Sequence, residues 1–213
     1  MLSLGAVVRR AAQINPEGRA IVHEGREVLW RRFPERVARL AAGLRSLGVE
    51  SGDRVAILSL NSDYYYEYYF ATAWAGAVFV PVNTRLAGPE IVHWLKDSGA
   101  KVLCVDDTFL ETVQGLREQL PALETLVYLA SDAPAGSVAW EALAAEAPMD
   151  DEGRGGDDLA GLFYTGGTTG RSKGVMLSHQ NLVVNALQIS PYIGVQRNDR
   201  ILHTAPMFHI ADW

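Results

Sequence analysis

Apolar and polar residues follow two alternating patterns along this chain. In "FPERVARLAAGLRSLG", apolar residues such as Val37, Leu40 and Leu44 recur at three- and four-residue spacing, which predicts a helix. Further helices are predicted at 63–76, 88–99 and 109–120. Between the helices lie short, nearly continuous apolar runs, which predict strands buried on both faces: "DRVAILSL", "AVFVPV", "KVLCVD" and "TLVYLA". This alternation predicts an α/β fold with mostly parallel sheets flanked by helices.

Shorter elements are predicted towards the two ends of the chain. A short helix is expected at 4–13, a hairpin in "AIVHEGREVLW" with its turn at Glu24 and Gly25, and another short helix at 137–145. Later in the chain, a helix is expected at 180–189 and a strand in "DRILHTA".

The segment 147–158, "APMDDEGRGGDD", is acidic, rich in glycine and without apolar periodicity, which predicts a solvated linker rather than a binding tail. It divides the chain into a first α/β portion at 1–146 and a second portion at 159–213. The chain finishes on the apolar and aromatic "PMFHIADW", whereas domain ends are usually polar and exposed. We therefore expect a fragment of a longer protein.

Composition narrows the classes of function. The formal net charge of −6 argues against a nucleic-acid partner, because such a partner requires a basic surface. The single cysteine, Cys104, excludes an internal disulfide framework and is expected to be a buried core residue of a protein in a reducing compartment. The chain starts without a signal-peptide pattern, and no apolar stretch reaches about 18 residues. We expect a cytoplasmic protein without a membrane span.

Two further groups of residues are interpreted as structural. The run "DYYYEYYF" has no flanking lysines in this acidic chain, so we expect its tyrosines to pack in the core or an interface rather than to stack on bases. His93, His179 and His203 have no metal-ligand spacing with the cysteine or with each other. No metal site formed by protein ligands is predicted.

The segment "LFYTGGTTGRSKGVMLSH" carries the clearest chemical signal. Its glycines allow backbone N–H groups to approach a ligand closely, and successive N–H groups form an anion-binding concavity. Threonine and serine hydroxyls add donors, and Lys173 adds a point charge suited to phosphate oxygens. Together these groups predict a loop between two strands that binds a polyphosphate.

This loop is not a Walker A motif. That motif requires Gly-Lys-Ser/Thr at the start of a helix, whereas here Lys173 follows Ser172 and precedes a strand-like run. A glycine-rich hairpin without a ligand is the alternative, and the interleaved hydroxyls and lysine disfavour it.

The segment "YTGGTTGRSKGV" resembles the signature loop of the adenylate-forming superfamily, which includes acyl-CoA synthetases, adenylation domains of peptide synthetases and luciferases. The family pattern has serine at Gly166 and proline at Ser172, and the other ten positions agree. Three more segments are similar in the same order: "LWRRFPERVARLAAGLRSLGVESGDRVAIL", "AWAGAVFVPVNTRL" and "APMFHIADW". The resemblance implies part of the large amino-terminal domain of these enzymes, most like a fatty acyl-CoA synthetase.

Membership implies ATP-dependent activation of a small-molecule carboxylic acid to an acyl-adenylate, followed by thioester formation with coenzyme A. Lys173 and Thr168 are the predicted catalytic residues. The predicted nucleotide-binding residues are Thr165, Gly166, Gly167, Thr168, Thr169, Gly170 and Lys173. Mg²⁺ is expected to share the phosphate oxygens, because it usually takes few protein ligands.

His209 and Trp213 are four residues apart in "HIADW" and would share one face of a helix. Spacing alone favours an ordinary core role for both. The resemblance implies that His209 lies near the acyl pocket and that Trp213 gates the acyl tunnel, so both are predicted substrate-site residues.

Alternatives stay open at this point. Within the same superfamily, the enzyme could act on aryl acids or load a carrier protein. In another class, the chain could be a nucleotide-binding or interaction module without catalysis. The acyl chain length is not determined by the sequence, and a homodimer is left open.

Overall fold

The computed structural model describes residues 1–165, 171–196 and 198–212. The chain begins with helix α1 (Leu4–Ile14) and a two-stranded antiparallel hairpin of β1 (Arg19–His23) and β2 (Arg26–Leu29). Glu24 and Gly25, at the tip of the hairpin, have φ angles of 45° and 84°. Two positive φ angles are typical of the tight turns that match the twist of paired strands. The predicted hairpin is confirmed.

The other seven strands form one sheet in the order β7-β6-β5-β3-β4-β8-β9. All neighbours are parallel except β8 and β9, which are antiparallel. The predicted mostly parallel α/β fold is therefore confirmed. The strands are β3 (Arg54–Leu58), β4 (Val78–Pro81), β5 (Val102–Val105), β6 (Thr125–Tyr128), β7 (Val138–Ala139), β8 (Leu159–Thr165) and β9 (Lys173–Ser178).

Helices connect the strands, and local sequence explains where several of them begin and end. Ser62 and Asp106 accept hydrogen bonds from the third backbone N–H beyond each residue, which caps α3 and α5. Pro34 and Pro89 stand at the starts of α2 and α4, and Gly99 ends α4 with a φ of 64°. The helices are α2 (Phe33–Ser46), α3 (Asp63–Trp74), α4 (Gly88–Ser98), α5 (Asp107–Leu116), α6 (Trp140–Leu143) and α7 (His179–Ile193).

The sheet separates two hydrophobic cores. Helices α1 to α3 cover one face, and α4 and α5 cover the other. Because successive side chains of a strand point to opposite faces, β3 sends Val55 and Ile57 into the first core and Ala56 and Leu58 into the second. This is why the predicted strands are apolar throughout.

The tyrosines of α3 lie in the first core, as predicted. Tyr65, Tyr68 and Tyr69 are buried. The hydroxyl of Tyr68 donates to the carbonyl of Val55 at 2.6 Å and accepts the N–H of Val80 at 2.9 Å, so it joins β3 and β4. Burial raises the pKa of Tyr68 well above its usual value.

A buried carboxylate ties four elements together, and no sequence pattern predicted it. Glu67 on α3 is fully buried and accepts two hydrogen bonds from Arg36 on α2, at 2.6 and 2.8 Å. Arg26 of the hairpin donates to it at 2.7 Å, and the indole of Trp140 on α6 donates at 3.0 Å. The charge of Glu67 is therefore paired and fully hydrogen-bonded, which burial of an ion requires.

Several predicted elements differ in the structure. The segment "DRILHTA" is irregular rather than a strand, because no strand of the described chain lies beside it to complete a ladder. The helix predicted at 109–120 is replaced by α5 and a short 3₁₀ turn, Arg117–Gln119. The helix predicted at 137–145 is reduced to α6, preceded by β7.

The acidic segment 147–158 is irregular, as predicted, but it is attached to the first core rather than freely solvated. The indole of Trp74 donates to the carbonyl of Met149 at 3.1 Å, and the N–H of Glu152 donates to the carbonyl of Trp74 at 3.0 Å. The N–H of Gly156 donates to the carbonyl of Leu2 at 2.7 Å. The division into 1–146 and 159–213 stays a prediction, while β8 continues the sheet that the first portion forms.

No helix in the described ranges is long and apolar enough to cross a membrane.

Candidate functional site

The predicted polyphosphate loop joins β8 to β9. The antiparallel register places Thr165 opposite Lys173 and Tyr164 opposite Gly174. Both Thr165 and Lys173 are exposed. Because β8 runs parallel to β4, the carboxyl end of β8 lies at the edge of the sheet where the other parallel strands also have their carboxyl ends. The two strands of the predicted strand–loop–strand arrangement are thus confirmed, and they deliver a hydroxyl and an ammonium group to one place.

A close approach between strands explains one glycine near this site. A Cβ atom added at Gly161 would lie 2.1 Å from a ring carbon of Phe79 on β4. Only glycine lets β8 pair with β4 beside that ring, and this pairing places the loop at the carboxyl edge of the sheet.

Six of the predicted site residues lie outside the described residues: Gly166, Gly167, Thr168, Thr169, Gly170 and Trp213. Their predicted roles in nucleotide and acid binding stay predictions. Thr165, Lys173 and His209 are the predicted site residues that the structure describes.

Helix α4 contacts β8 and the residue that precedes β9. The ring of Tyr164 stacks on Trp94, with 4.7 Å between ring centroids and 20° between their planes. The hydroxyl of Tyr164 donates to Oδ2 of Asp97 at 2.6 Å. Just before β9, the carbonyl oxygen of Ser172 lies 3.4 Å from Nε2 of His93. His93, interpreted as structural from the sequence, therefore contacts the predicted loop.

A cavity of about 840 Å³ lies between α4 and the end of the loop that precedes β9. His93, Trp94, Arg171 and Ser172 contribute to its lining. The lining carries two cations, Arg171 and Lys96, and two carboxylates, Glu90 and Asp97. The two cations are the groups that suit a phosphate-bearing ligand.

Asn61 holds the segment that carries His209. Its amide nitrogen donates to the carbonyls of Ala205 and His203 at 2.7 and 3.2 Å, and its amide oxygen accepts the N–H of Met207 at 2.7 Å. The hydroxyl of Tyr69 adds a bond to the carbonyl of Met207 at 2.6 Å. A segment without regular structure is thereby fixed against the start of α3.

His209 is exposed, and its Nδ1 accepts the N–H of Ala211 at 3.1 Å. The helix considered for "HIADW" is a 3₁₀ turn, Ile210–Asp212. His203 lies 2.7 Å from Asp212, which links the two ends of this segment.

A second cavity, of about 300 Å³, lies between the loops that follow β3 and β4 and this segment. The chain leaves β3 for α3 on one face of the sheet and leaves β4 for α4 on the other. Crevices at such switch points, at the carboxyl ends of strands, are the usual ligand sites of open α/β sheets. The cavity is lined by Ser59, Leu60, Asn61, Thr84, Arg85, Thr204, Pro206 and Phe208.

The described residues contain no group of three or more His, Cys, Asp or Glu side chains that could hold a metal ion. His179 is buried, and its Nδ1 lies 3.4 Å from the N–H of Leu4. Burial lowers the pKa of His179. Cys104 is buried in β5 as predicted, and burial raises the pKa of its thiol.

Sequence reasoning missed Asn61 and Asp97. Each is a single polar residue at a helix end or strand end, which carries no pattern of its own. The order of strands in the sheet brings Asn61 to the segment that carries His209 and brings Asp97 to Tyr164, next to the predicted loop.

Known proteins are similar to this chain in sequence and in fold. A feruloyl-CoA synthase of Amycolatopsis sp is 42% identical over 208 residues, which are 98% of this chain and 40% of that protein. A long-chain-fatty-acid–CoA ligase of Thermus thermophilus is 40% identical over 183 residues, covering 84% of this chain and 33% of that protein. The chain therefore spans well under half the length of these curated relatives.

Two crystal structures show the same architecture. A long-chain-fatty-acid–CoA ligase from Archaeoglobus fulgidus matches with a TM-score of 0.87 and 28% identity, over 99% of this chain and 43% of that one. An anthranilate CoA ligase in complex with anthranoyl-AMP matches with a TM-score of 0.82 and 27% identity, over 87% of this chain and 36% of that one.

The strands that flank the glycine- and threonine-rich segment thus belong to a chain whose relatives include CoA ligases. The sequence pattern described as AMP-binding enzyme matches residues 8–213, nearly the whole chain. The chain belongs to the AMP-binding enzyme family.

Proposed function

We propose that this chain provides the polyphosphate-binding loop and part of the acid site of an ATP-dependent acid–thiol ligase. Such an enzyme converts a carboxylic acid to an acyl-adenylate and then to a thioester of coenzyme A. The observation that carries the proposal is the β8–β9 hairpin, which presents Thr165 and Lys173 side by side at the carboxyl edge of the sheet.

The relatives support the reaction class. Those with 42% and 40% identity are named as a feruloyl-CoA synthase and a fatty-acid–CoA ligase. The anthranilate CoA ligase of the same fold holds anthranoyl-AMP, which is an acyl-adenylate. ATP and coenzyme A are accordingly the proposed co-substrates.

In the first half-reaction, a carboxylate oxygen of the acid attacks the α-phosphorus of ATP, and the bond to pyrophosphate breaks. Negative charge grows on the leaving pyrophosphate. In the proposed mechanism Lys173 would stabilise this charge, and the hydroxyl of Thr165 would be the neighbouring donor. The N–H groups and hydroxyls at 166–170 would align the phosphates for in-line attack. Mg²⁺, when bound, would supply further charge neutralisation on the same phosphate oxygens.

The acid would bind on the side of the His209 segment, which Asn61 fixes beside the cavity at the carboxyl ends of β3 and β4. An acid with an apolar body, fatty or aryl, is the proposed substrate class. The similarity to a feruloyl-CoA synthase supports an aryl acid, and the similarity to the Thermus ligase supports a fatty acid about equally. We keep the cytoplasmic location and the homodimer as predictions to be measured by fractionation and by sedimentation.

The test is acid-dependent exchange of labelled pyrophosphate into ATP, measured in the longest protein that carries this sequence. Lys173→Ala should slow adenylate formation by about 10²–10³-fold, because one contact to developing charge is lost. Thioester formation from a supplied acyl-adenylate should change far less. Arg10→Ala, which removes an exposed cation from α1, is the control.

If Lys173→Ala slowed both half-reactions equally, the proposed role of Lys173 in adenylate formation would be wrong. Nucleotide binding without acid-dependent exchange in the unchanged protein would favour a non-catalytic binding module instead.

A further inference from the structure

Helix α4 reaches the residues that stand immediately before the two predicted phosphate ligands of the hairpin. Tyr164 precedes Thr165 on β8, and it is the residue that stacks on Trp94 and donates to Asp97. Ser172 precedes Lys173 on the other strand, and its carbonyl oxygen is the atom that lies 3.4 Å from His93.

The helix is a firm support for these contacts. Ile91, Trp94 and Leu95 are nearly fully buried in the second core, so α4 is fixed on the sheet by its apolar side. His93 and Asp97 lie on the remaining, accessible part of the helix surface. Asp97 and His93 are four residues apart, which places both on the same side of the helix.

The contact to β8 is chemically specific. Asp97 supplies a charged acceptor, and hydrogen bonds to charged groups are stronger than neutral ones. Burial and the hydrogen bond to Asp97 raise the pKa of Tyr164 well above its usual value, so the phenol is protonated and able to donate at neutral pH. The stacked indole fixes the plane of the ring, and thereby the direction of its hydroxyl.

We propose that His93, Trp94 and Asp97 are positioning residues that hold Thr165 and Lys173 at the spacing that binds the phosphates of ATP. The proposal rests on the proposed function for its choice of ligand, and on the α4 contacts alone for its structural part. This chain has Ser172 where the family pattern has proline, so the backbone just before β9 lacks the rigidity of a proline ring. The contact with His93 supplies a tertiary restraint at that residue.

The expected consequence concerns binding rather than the chemical step. If a contact to α4 is lost, a smaller fraction of molecules has both ligands in place, and the apparent affinity for nucleotide falls by that fraction. One hydrogen bond of this kind corresponds to about three- to tenfold. Once ATP is bound the hairpin is in the same arrangement, so KM for ATP should rise about three- to tenfold while kcat stays nearly constant.

The first experiment measures the hairpin directly in this chain, without nucleotide. The rate of tryptic cleavage of the bond after Arg171, which is exposed, is compared in Tyr164→Phe, Asp97→Ala, Asp97→Asn and His93→Ala. We expect cleavage to accelerate about threefold or more in Tyr164→Phe, Asp97→Ala and His93→Ala. Asp97→Asn, which keeps an acceptor oxygen, should restore most of the protection. Glu111→Ala, at an exposed position of α5, is the control.

The second experiment measures KM for ATP, KM for the acid and kcat for the same variants in the longest protein that carries this sequence. A higher KM for ATP with unchanged kcat and unchanged KM for the acid, reversed by Asp97→Asn, supports the positioning role. An unchanged cleavage rate in all variants would overturn the proposal, whatever the enzyme does. Faster cleavage with an unchanged KM for ATP would also overturn it.

The two proposals fail separately. If the unchanged protein shows no ATP-dependent activity, the proposed function is wrong, and the cleavage rates still decide whether α4 restrains the hairpin.

Discussion

The middle and one edge of the large sheet differ in how they are covered. Val55 on β3 and Leu103 on β5 are fully buried between helices. At the β9 edge, Met176 keeps 68% of its surface exposed, and Leu187 and Tyr192 on α7 keep 61% and 88%. The middle of the sheet builds a closed core, whereas the edge beside the loop presents apolar side chains to solvent. Where exposed apolar side chains form a contiguous patch, such a patch is typical of sites that contact another protein or a ligand.

Polar interactions differ between the same two regions. Around Glu67, four elements meet in a buried and fully paired network. The hairpin that carries the predicted phosphate ligands has the stacking and two polar contacts from α4 described above. Ligand-binding segments commonly come from the less stable parts of a protein, because binding requires them to adjust. The core therefore sets the position of the site, while a few contacts set its detailed shape.

The largest expected change in the free energy of unfolding comes from removing the buried carboxylate of Glu67. Glu67→Ala should lower the free energy of unfolding by about 3–5 kcal/mol, because it leaves two arginines and an indole N–H without their shared partner. Urea denaturation of this chain measures the change. Glu111→Ala, on the exposed side of α5, should stay within about 0.5 kcal/mol. Similar losses in both variants would show that the buried network does not set the stability of this region.

A smaller effect is expected where two helices of the closed region touch. A Cβ atom added at Gly43 on α2 would lie 2.4 Å from Cβ of Leu143 and 2.6 Å from its Cα. Gly43→Ala should therefore cost about 1–3 kcal/mol through overpacking. Gly115→Ala is the matched control on α5, because nothing lies within 4 Å of its added Cβ. That control should stabilise the chain by about 0.5–1 kcal/mol. A gain in both variants would refute the tight α2–α6 contact.

The stability of the chain should depend on pH through His179, which lies where α7 meets α1. His179 starts α7, contacts the N–H of Leu4 and has a pKa lowered by burial. Between that lowered pKa and its ordinary value, the unfolded chain binds more protons at this residue than the folded chain does. Stability should therefore fall as pH drops below about 6.5, by at most about 1.4 kcal/mol per pH unit.

The His179 contribution can be isolated by substitution. Denaturation at several pH values should show a flatter profile for His179→Asn than for the unchanged chain. Gln180→Asn, at an exposed position of the same helix that carries no titratable group, should keep the original slope. An unchanged slope in His179→Asn would assign the acid sensitivity to other groups.

The smallest effect on stability is expected at the open edge. Replacing Leu187 and Tyr192 together by serine should change the free energy of unfolding by less than about 0.5 kcal/mol. The same pair should reduce self-association of this chain, as measured by sedimentation velocity, because the exposed apolar surface of α7 shrinks. Leu182→Ser, at a buried position of the same helix, should destabilise the chain strongly. If the double variant self-associates as before, the apolar edge is not the contact surface.

Much of the fold was predictable from local patterns. The strands of the sheet middle were predicted because parallel strands buried on both faces are apolar throughout, and the hairpin at Glu24 and Gly25 was predicted from its turn residues. The prediction of a strand in "DRILHTA" was wrong, because a strand needs a hydrogen-bonded neighbour and the sequence pattern does not show whether one is present. The ends of α5 and α6 were also misplaced, since short final turns depend on what packs beside them.

Local properties of the sequence were enough to predict the α/β class, the loop between two strands and the family, because periodicity, glycine spacing and an ordered set of motifs need no knowledge of packing. Which strands are neighbours follows only from the folded structure, and with it the contacts of Asp97 with Tyr164, of His93 with Ser172 and of Asn61 with the segment that carries His209. These pairs are 67 to 144 residues apart in the chain. Contacts at such separations follow from the order in which strands pair, which depends on the packing of the whole chain.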